Sequence, residues 1–197
     1  LCIDAIHPTL LQARHLHATG IPPALSDATR ALSFELMTQM RKAGRSVSFD
    51  PNLRPSLWAS QAQMIREINT LAALADWVLP GLGEGRLLTG FDDPQDIAAF
   101  YLDQGAEAVA IKLGAEGAYY RTHMDQGFVA AVPVANVVDT VGAGDGFAVG
   151  MISALLENSS FPEAVQRGNW IGSRAVQSRG DMEGLPTRAE LPTRSVA

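Results

Sequence analysis

Two hydrophobic periods alternate along this chain, and that alternation narrows the fold more than any other feature. Short apolar runs at His15–Ile21, Ser46–Asp50, Trp77–Leu79 and Ala108–Lys112 read as strands. Between them lie stretches with helical spacing. Ser26-Asp27 can cap a helix running to about Ala43, with Leu25, Ala28, Leu32, Leu36 and Met40 near one face and Gly44 closing it. Gln61–Ala75 follows with Met64, Ile65, Ile68, Leu71 and Ala72 inward, then shorter helices at Glu84–Leu88 and Asp96–Gln104. Pro22-Pro23 marks a break and Pro51 ends the second strand. Further on, Ala118–Arg121 and Phe128–Val134 read as an antiparallel pair. Val137-Val138 leads into helices at Ala143–Leu156 and Pro162–Gln177, and the tail Gly180–Ala197 is irregular. Strands alternating with helices predict an α/β protein with a mostly parallel sheet flanked by helices on both faces.

Such sheets gather ligands at the carboxyl ends of their strands. Four polar segments sit at those places: Asp50–Arg54, Pro80–Glu84, Lys112–Gly117 and Asp139–Asp145. The last is the richest in chemistry. Asp139-Thr-Val-Gly-Ala-Gly-Asp-Gly-Phe147 runs directly into the apolar stretch Ala148–Leu156. Glycines admit a ligand close to the backbone. A helix start offers unpaired N–H groups and the positive end of its dipole. A carboxylate at Asp145 would repel a bound phosphate unless its task is to accept a proton from the group attacking it, which suggests phosphoryl transfer with Asp145 as base. Gly-x4-Gly-Lys-Ser/Thr, the P-loop, does not occur, and a dinucleotide Gly-x-Gly-x-x-Gly counted from Gly142 meets Phe147 at its third glycine. On local physics alone, a plain strand-to-helix turn with a carboxylate at its start stays open.

Composition excludes other classes. A net charge of −6 argues against a nucleic-acid or anionic-membrane binder. Cys2 is the only cysteine, which rules out an internal disulfide and is compatible with the reducing cytoplasm. The longest apolar run, Phe147–Leu156, is interrupted by Gly150 and Ser153 and is too short to span a bilayer, and no secretory pattern opens the chain. His7, His15 and His17 form a cluster, but no carboxylate at ligand spacing accompanies them, so they read as packing or surface residues. The methionines and tryptophans read as core. Leu1 stands where an initiating Met would, as in a segment of a longer protein.

Asp139-Thr-Val-Gly-Ala-Gly-Asp145 resembles the C-terminal signature of the PfkB (ribokinase-like) carbohydrate kinases, and Lys112-Leu-Gly-Ala-Glu-Gly117 resembles that family's nucleotide loop. Within the family, Phe49–Trp58, Leu79–Gly90 and Gly180–Pro186 are most similar to the branch that phosphorylates 2-keto-3-deoxygluconate. The resemblance covers nearly the whole chain but only the C-terminal part of the family's domain. Residues 1–197 would then be one C-terminal portion of a ribokinase-like kinase domain, with the N-terminal part and the β lid missing.

The resemblance implies ATP and magnesium as cofactors and a small sugar acid as substrate, with neither nucleic acid nor membrane as partner. It also allows a homo-oligomer, because family members often pair through the lid. It makes Asp145 the catalytic base and Gly142, Ala143 and Gly144 the anion hole. Asn52, Lys112, Gly114, Gly117 and Asn169 fall on nucleotide contacts, and Arg54 and Asp181 on the sugar acid. Arg54 suits that task because its planar fork can bind a carboxylate in two places. Glu84 matches the glutamate of the family's Asn-x-x-Glu magnesium motif, but Gly81 occupies the Asn position. The alternatives are a kinase for a neutral sugar such as fructose, a nucleotide-binding fragment without turnover, and, more remotely, a dehydrogenase.

Overall fold

The structure is a computed structural model that describes residues 8–180 and 182–192. It resolves into two compact units. One comprises the described residues up to Leu113 together with Tyr119–Phe128, and the other comprises Gly114–Ala118 and the chain from Val129 onward.

The sheet has six strands in the consecutive order β1 (His15–Thr19), β2 (Ser46–Asp50), β3 (Trp77–Val78), β4 (Ala108–Lys112), β5 (Gly117–Thr122) and β6 (Gln126–Ala130), of which β1 to β4 lie wholly in the first unit. The first four strands pair in parallel, with His15 opposite Ser46, Ser48 opposite Trp77 and Val78 opposite Val109. Connections of a few residues join β4 to β5 and β5 to β6, which only antiparallel neighbours permit. The crossovers carry α1 (Ile21–Leu25), α2 (Asp27–Lys42), α3 (Gln61–Ala72), α4 (Leu82–Thr89) and α5 (Pro94–Asp103). A consecutive strand order with right-handed crossovers brings α2, α3, α4 and α5 to one face of the sheet.

The two sheet faces differ because strand side chains alternate. Val47, Phe49, Val78, Val109 and Ile111 join Met37, Met40, Met64, Ile68, Leu71, Ile97 and Tyr101 in one core. The other set of positions carries His15, His17, Ser46, Ser48, Asp50, Trp77 and Lys112. Here His15 and His17 do share a face. The His15 ring nitrogens lie 2.9 Å from Ser46 Oγ and 2.8 Å from Ser48 Oγ, and His17 Nδ1 lies 2.8 Å from Ser48 Oγ. His15 also stacks on Trp77 at 4.9 Å between ring centroids. Burial, reinforced by the neighbouring His17, lowers the His15 pKa to about 4. His7 lies outside the described residues.

Several local expectations change. Pro22 and Pro23 do not break the chain but open α1, where the fixed proline φ suits a first turn and a missing N–H is harmless. Leu25 and Ala28 are exposed, Met40 is buried as its spacing suggests, and the inward face of α2 also takes in Arg30, Phe34 and Met37. Ser26 caps α2 through Thr29 N–H, and Gly44 follows in the left-handed region at φ +66°, as helix termini favour. The second hairpin strand is Gln126–Ala130, earlier than its apolar run suggests. Val137 and Val138 form no strand and are both exposed. Met124 and Met182 are exposed as well, and so are not core.

The second unit contains α6 (Ala143–Leu156) and α7 (Phe161–Ala175), which lie against each other along most of their length. A Cβ on Gly150 would stand 2.7 Å from the Arg167 carbonyl oxygen, and one on Gly168 would stand 2.9 Å from the Phe147 ring. The two backbones therefore approach where only glycine fits. Arg167 closes the pair at its far end with two 3.0 Å bonds to Glu157.

Candidate active site

Asp50–Arg54, Pro80–Glu84 and Lys112 follow or end strands of the first unit, and contacts between them bring these groups together. Asp50 ends β2 and is 2% exposed, while Lys112 ends β4 with its Nζ donating to Asp50 Oδ2. Burial raises the Asp50 pKa, and the Lys112 charge opposes that shift. Lys112 is therefore neither a solvated strand end nor a free cation, and its charge is balanced by a carboxylate that the motif reading did not single out. A strand of four apolar residues ending in a lysine carried the hint, since a lysine that leaves water needs a partner.

Past Asp50 the chain makes a held turn. Asp50 Oδ1 accepts the Asn52 N–H at 3.1 Å, and Asn52 sits at φ +39°, a region that asparagine tolerates better than most residues. Arg54 is exposed, and its Nη1 donates to Asn52 Oδ1 at 2.7 Å, Leu53 O at 3.0 Å and Asn52 O at 3.2 Å. No carboxylate pairs with Arg54 among the described residues. Glu84 lies in the first turn of α4. Its Oε2 accepts the Gly81 N–H and its Oε1 the Leu53 N–H, both at 2.7 Å.

The second unit holds the other predicted residues. Gly142 adopts φ +77°, which glycine occupies without penalty, and α6 begins at the next residue with no side chain capping it. Ala143, Gly144 and Asp145 form its first turn, and the first regular bond is Gly146 N–H to Gly142 O at 2.8 Å. The N–H groups of Gly144 and Asp145 have no hydrogen-bond acceptor among the described residues, as the start of an uncapped helix dictates. Asp145 is exposed, whereas Gly146, Phe147 and Ala148 behind it are buried. Asp139 shapes the approach by accepting the Val141 N–H at 3.0 Å. The segment entering this turn is irregular rather than a strand end. It is tied to α7 by the Val138 N–H, which donates to Val176 O at 2.8 Å.

Gly114 and Gly117 flank a 3-10 turn in the same unit, both at positive φ. A Cβ on Gly117 would stand 2.1 Å from the Val129 carbonyl oxygen, so nothing larger fits there. Asn169 is buried rather than a surface residue of α7. Its amide nitrogen donates to Val129 O at 2.9 Å and Ala130 O at 3.1 Å, which spends that group on bracing backbone. Asp181 lies outside the described residues.

These features suit the phosphate end of a nucleotide: an uncapped helix start, a left-handed glycine before it and an exposed carboxylate in its first turn. No group of three or more His, Cys, Asp or Glu side chains that could hold a metal ion occurs among the described residues. A magnesium ion would fit here as one carried largely by phosphate oxygens and water, as is usual for that ion.

Comparison with known proteins gives the class of fold first. A crystal structure of a PfkB protein from Polaromonas sp. JS666 superposes with a TM-score of 0.88 at 56% identity, covering 97% of this chain and 61% of that one. A putative ribokinase II from E. coli, in complex with ATP and Mg2+, gives 0.84 at 29% identity, covering 94% of this chain and 60% of that one. The fold is thus ribokinase-like α/β. The profile of the pfkB family carbohydrate kinases matches residues 4–188, and the chain belongs to that family. It is 58% identical to the 2-dehydro-3-deoxygluconokinase of Bacillus subtilis (strain 168) over 179 residues, which is 91% of this chain and 55% of that relative. The chain spans about half the length of the curated relatives it matches. No helix among the described residues is long and apolar enough to cross a membrane.

Proposed function

We propose that the protein carrying this chain is an ATP-dependent kinase that phosphorylates the primary hydroxyl of 2-keto-3-deoxygluconate to give the 6-phosphate. The observation that carries the reading is Asp145, exposed in the first turn of an uncapped helix directly after a left-handed glycine. The similarity to the Bacillus sugar-acid kinase supports the choice of substrate. In the reaction, the hydroxyl oxygen forms a bond to the γ-phosphorus. The bond from that phosphorus to the β,γ-bridging oxygen breaks, ADP leaves, and the proton passes to Asp145. The N–H groups of the Gly142–Asp145 turn face the charge developing on the transferring group, a role whose loss typically costs about 3–4 kcal/mol.

The remaining roles follow the chemistry of each group. Arg54 binds the acid, and Asn52 and Lys112 serve the nucleotide phosphates. Gly114 and Gly117 admit the nucleoside close to backbone, and Asn169 holds Val129 and Ala130 in place beside them. Asp181 contacts a substrate hydroxyl. Magnesium, when bound, neutralises phosphate charge and is carried largely by phosphate oxygens and water, since both Glu84 oxygens already accept backbone N–H groups. The site of action is the cytoplasm.

The test is ADP release in a coupled assay with Mg-ATP, comparing 2-keto-3-deoxygluconate, fructose and no sugar. Turnover with the sugar acid alone is expected. Asp145→Asn should abolish it while leaving ATP affinity within about threefold, since only a transition-state interaction is removed. Surviving turnover in that variant would refute the assignment of the base, and preference for fructose would refute the substrate.

A further inference from the structure

The loop after β2 is held by two carboxylates on successive N–H groups, Asp50 on Asn52 and Glu84 on Leu53. Glu84 differs from Asp50 in reaching across from another connection. Its second oxygen holds Gly81, whose own position is set by the sheet through the parallel bridge of Gly81 with Lys112 and by the Lys112 N–H bond to Pro80 O at 2.9 Å. One side chain therefore ties the Asn52–Arg54 turn to the end of the sheet. The Leu53 peptide passes the constraint on, because its N–H goes to Glu84 and its carbonyl accepts Arg54 Nη1 at 3.0 Å. Both Glu84 oxygens are committed to backbone donors, an arrangement that suits orientation of a loop.

We propose that Glu84 is a positioning residue for the acceptor, fixing through Leu53 and Gly81 the turn that presents Arg54 to the sugar acid. This rests on the kinase reading above. Glu84→Ala removes both acceptors, and Glu84→Gln keeps an oxygen for only one of the two N–H groups.

The experiment measures steady-state kinetics of the whole protein with varied sugar acid, ATP and Mg2+, together with amide hydrogen exchange. In Glu84→Ala, which loses the charge-assisted hydrogen bonds to Leu53 and Gly81, the KM for the sugar acid should rise at least about tenfold. The ATP KM and the Mg2+ concentration for half-maximal rate should stay within about twofold. Glu84→Gln should show a smaller rise in sugar-acid KM, and exchange at the Leu53 and Gly81 amides should quicken in both variants. A shift in Mg2+ dependence with unchanged sugar-acid KM would overturn the proposal in favour of metal binding. A uniform rise in both KM values alongside a lowered Tm would overturn it in favour of general support. A wild-type protein inert toward every sugar acid would instead remove the kinase reading, and the positioning role with it.

Discussion

His15 provides a pH test worked directly from its surroundings. Both ring nitrogens meet serine hydroxyls, the ring stacks on Trp77, and burial together with His17 brings its pKa from 6.5 down to about 4. A folded pKa below the unfolded one means that the unfolded chain binds the proton more tightly. The contribution of His15 is then fully present above pH 6.5 and is lost as pH falls through 4. The interval between the two values corresponds to about 3 kcal/mol if nothing screens the group. His15 is only half-buried, and solvent screening reduces the expectation to about 1–2 kcal/mol. The assay is urea unfolding of wild type and His15→Gln at pH 7.5 and 4.5. Glutamine can keep a hydrogen bond to the serines but cannot titrate. Acidification should cost the wild type about 1–2 kcal/mol more than the variant. Equal losses would refute the claim that burial of a neutral His15 contributes to the stability of this sheet.

Lys112→Met leaves Asp50 buried without its counter-charge and should cost about 3 kcal/mol at pH 7. The loss should shrink on acidification, because Asp50, its pKa already raised, then protonates in the folded state, and Asp50→Asn in the same chain should restore most of it. Urea unfolding of the single and double variants decides this, and a double variant no more stable than Lys112→Met would contradict it. Gly20→Ala should destabilise by about 2 kcal/mol or more, because the new Cβ would stand 2.0 Å from the Pro51 carbonyl oxygen and 2.8 Å from Ile68 Cδ1. A Tm unchanged from wild type would show that the turn after β2 can move away.

Much of this was legible in the residues, and the reasons differ from element to element. Strands β2 and β4 and helix α6 lie where their patterns put them, because short buried strands and a glycine-led helix start carry strong local signals. The family signature singled out Asp145 as the candidate base without any fold, and the structure places it exposed in the first turn of α6. The inward face of α2 was misjudged from Leu25 and Ala28, since apolar spacing alone does not say which way a helix turns its buried stripe. Val137-Val138 resembles a strand in composition, yet pairing with a neighbour decides a strand.

What the linear chain determined by itself was local: the periods that make it α/β, the glycines that permit a left-handed turn before α6, and the carboxylate in the turn that follows. These depend on a residue and its few neighbours along the backbone. The partners across long separations were decided only by tertiary structure. Asp50 meets Lys112 after 62 residues, Glu84 meets Leu53 after 31, and Asn169 meets Val129 after 40. A charge or amide that leaves water must find a partner, but which one it finds depends on the register of strands and the approach of helices, and no local pattern encodes those.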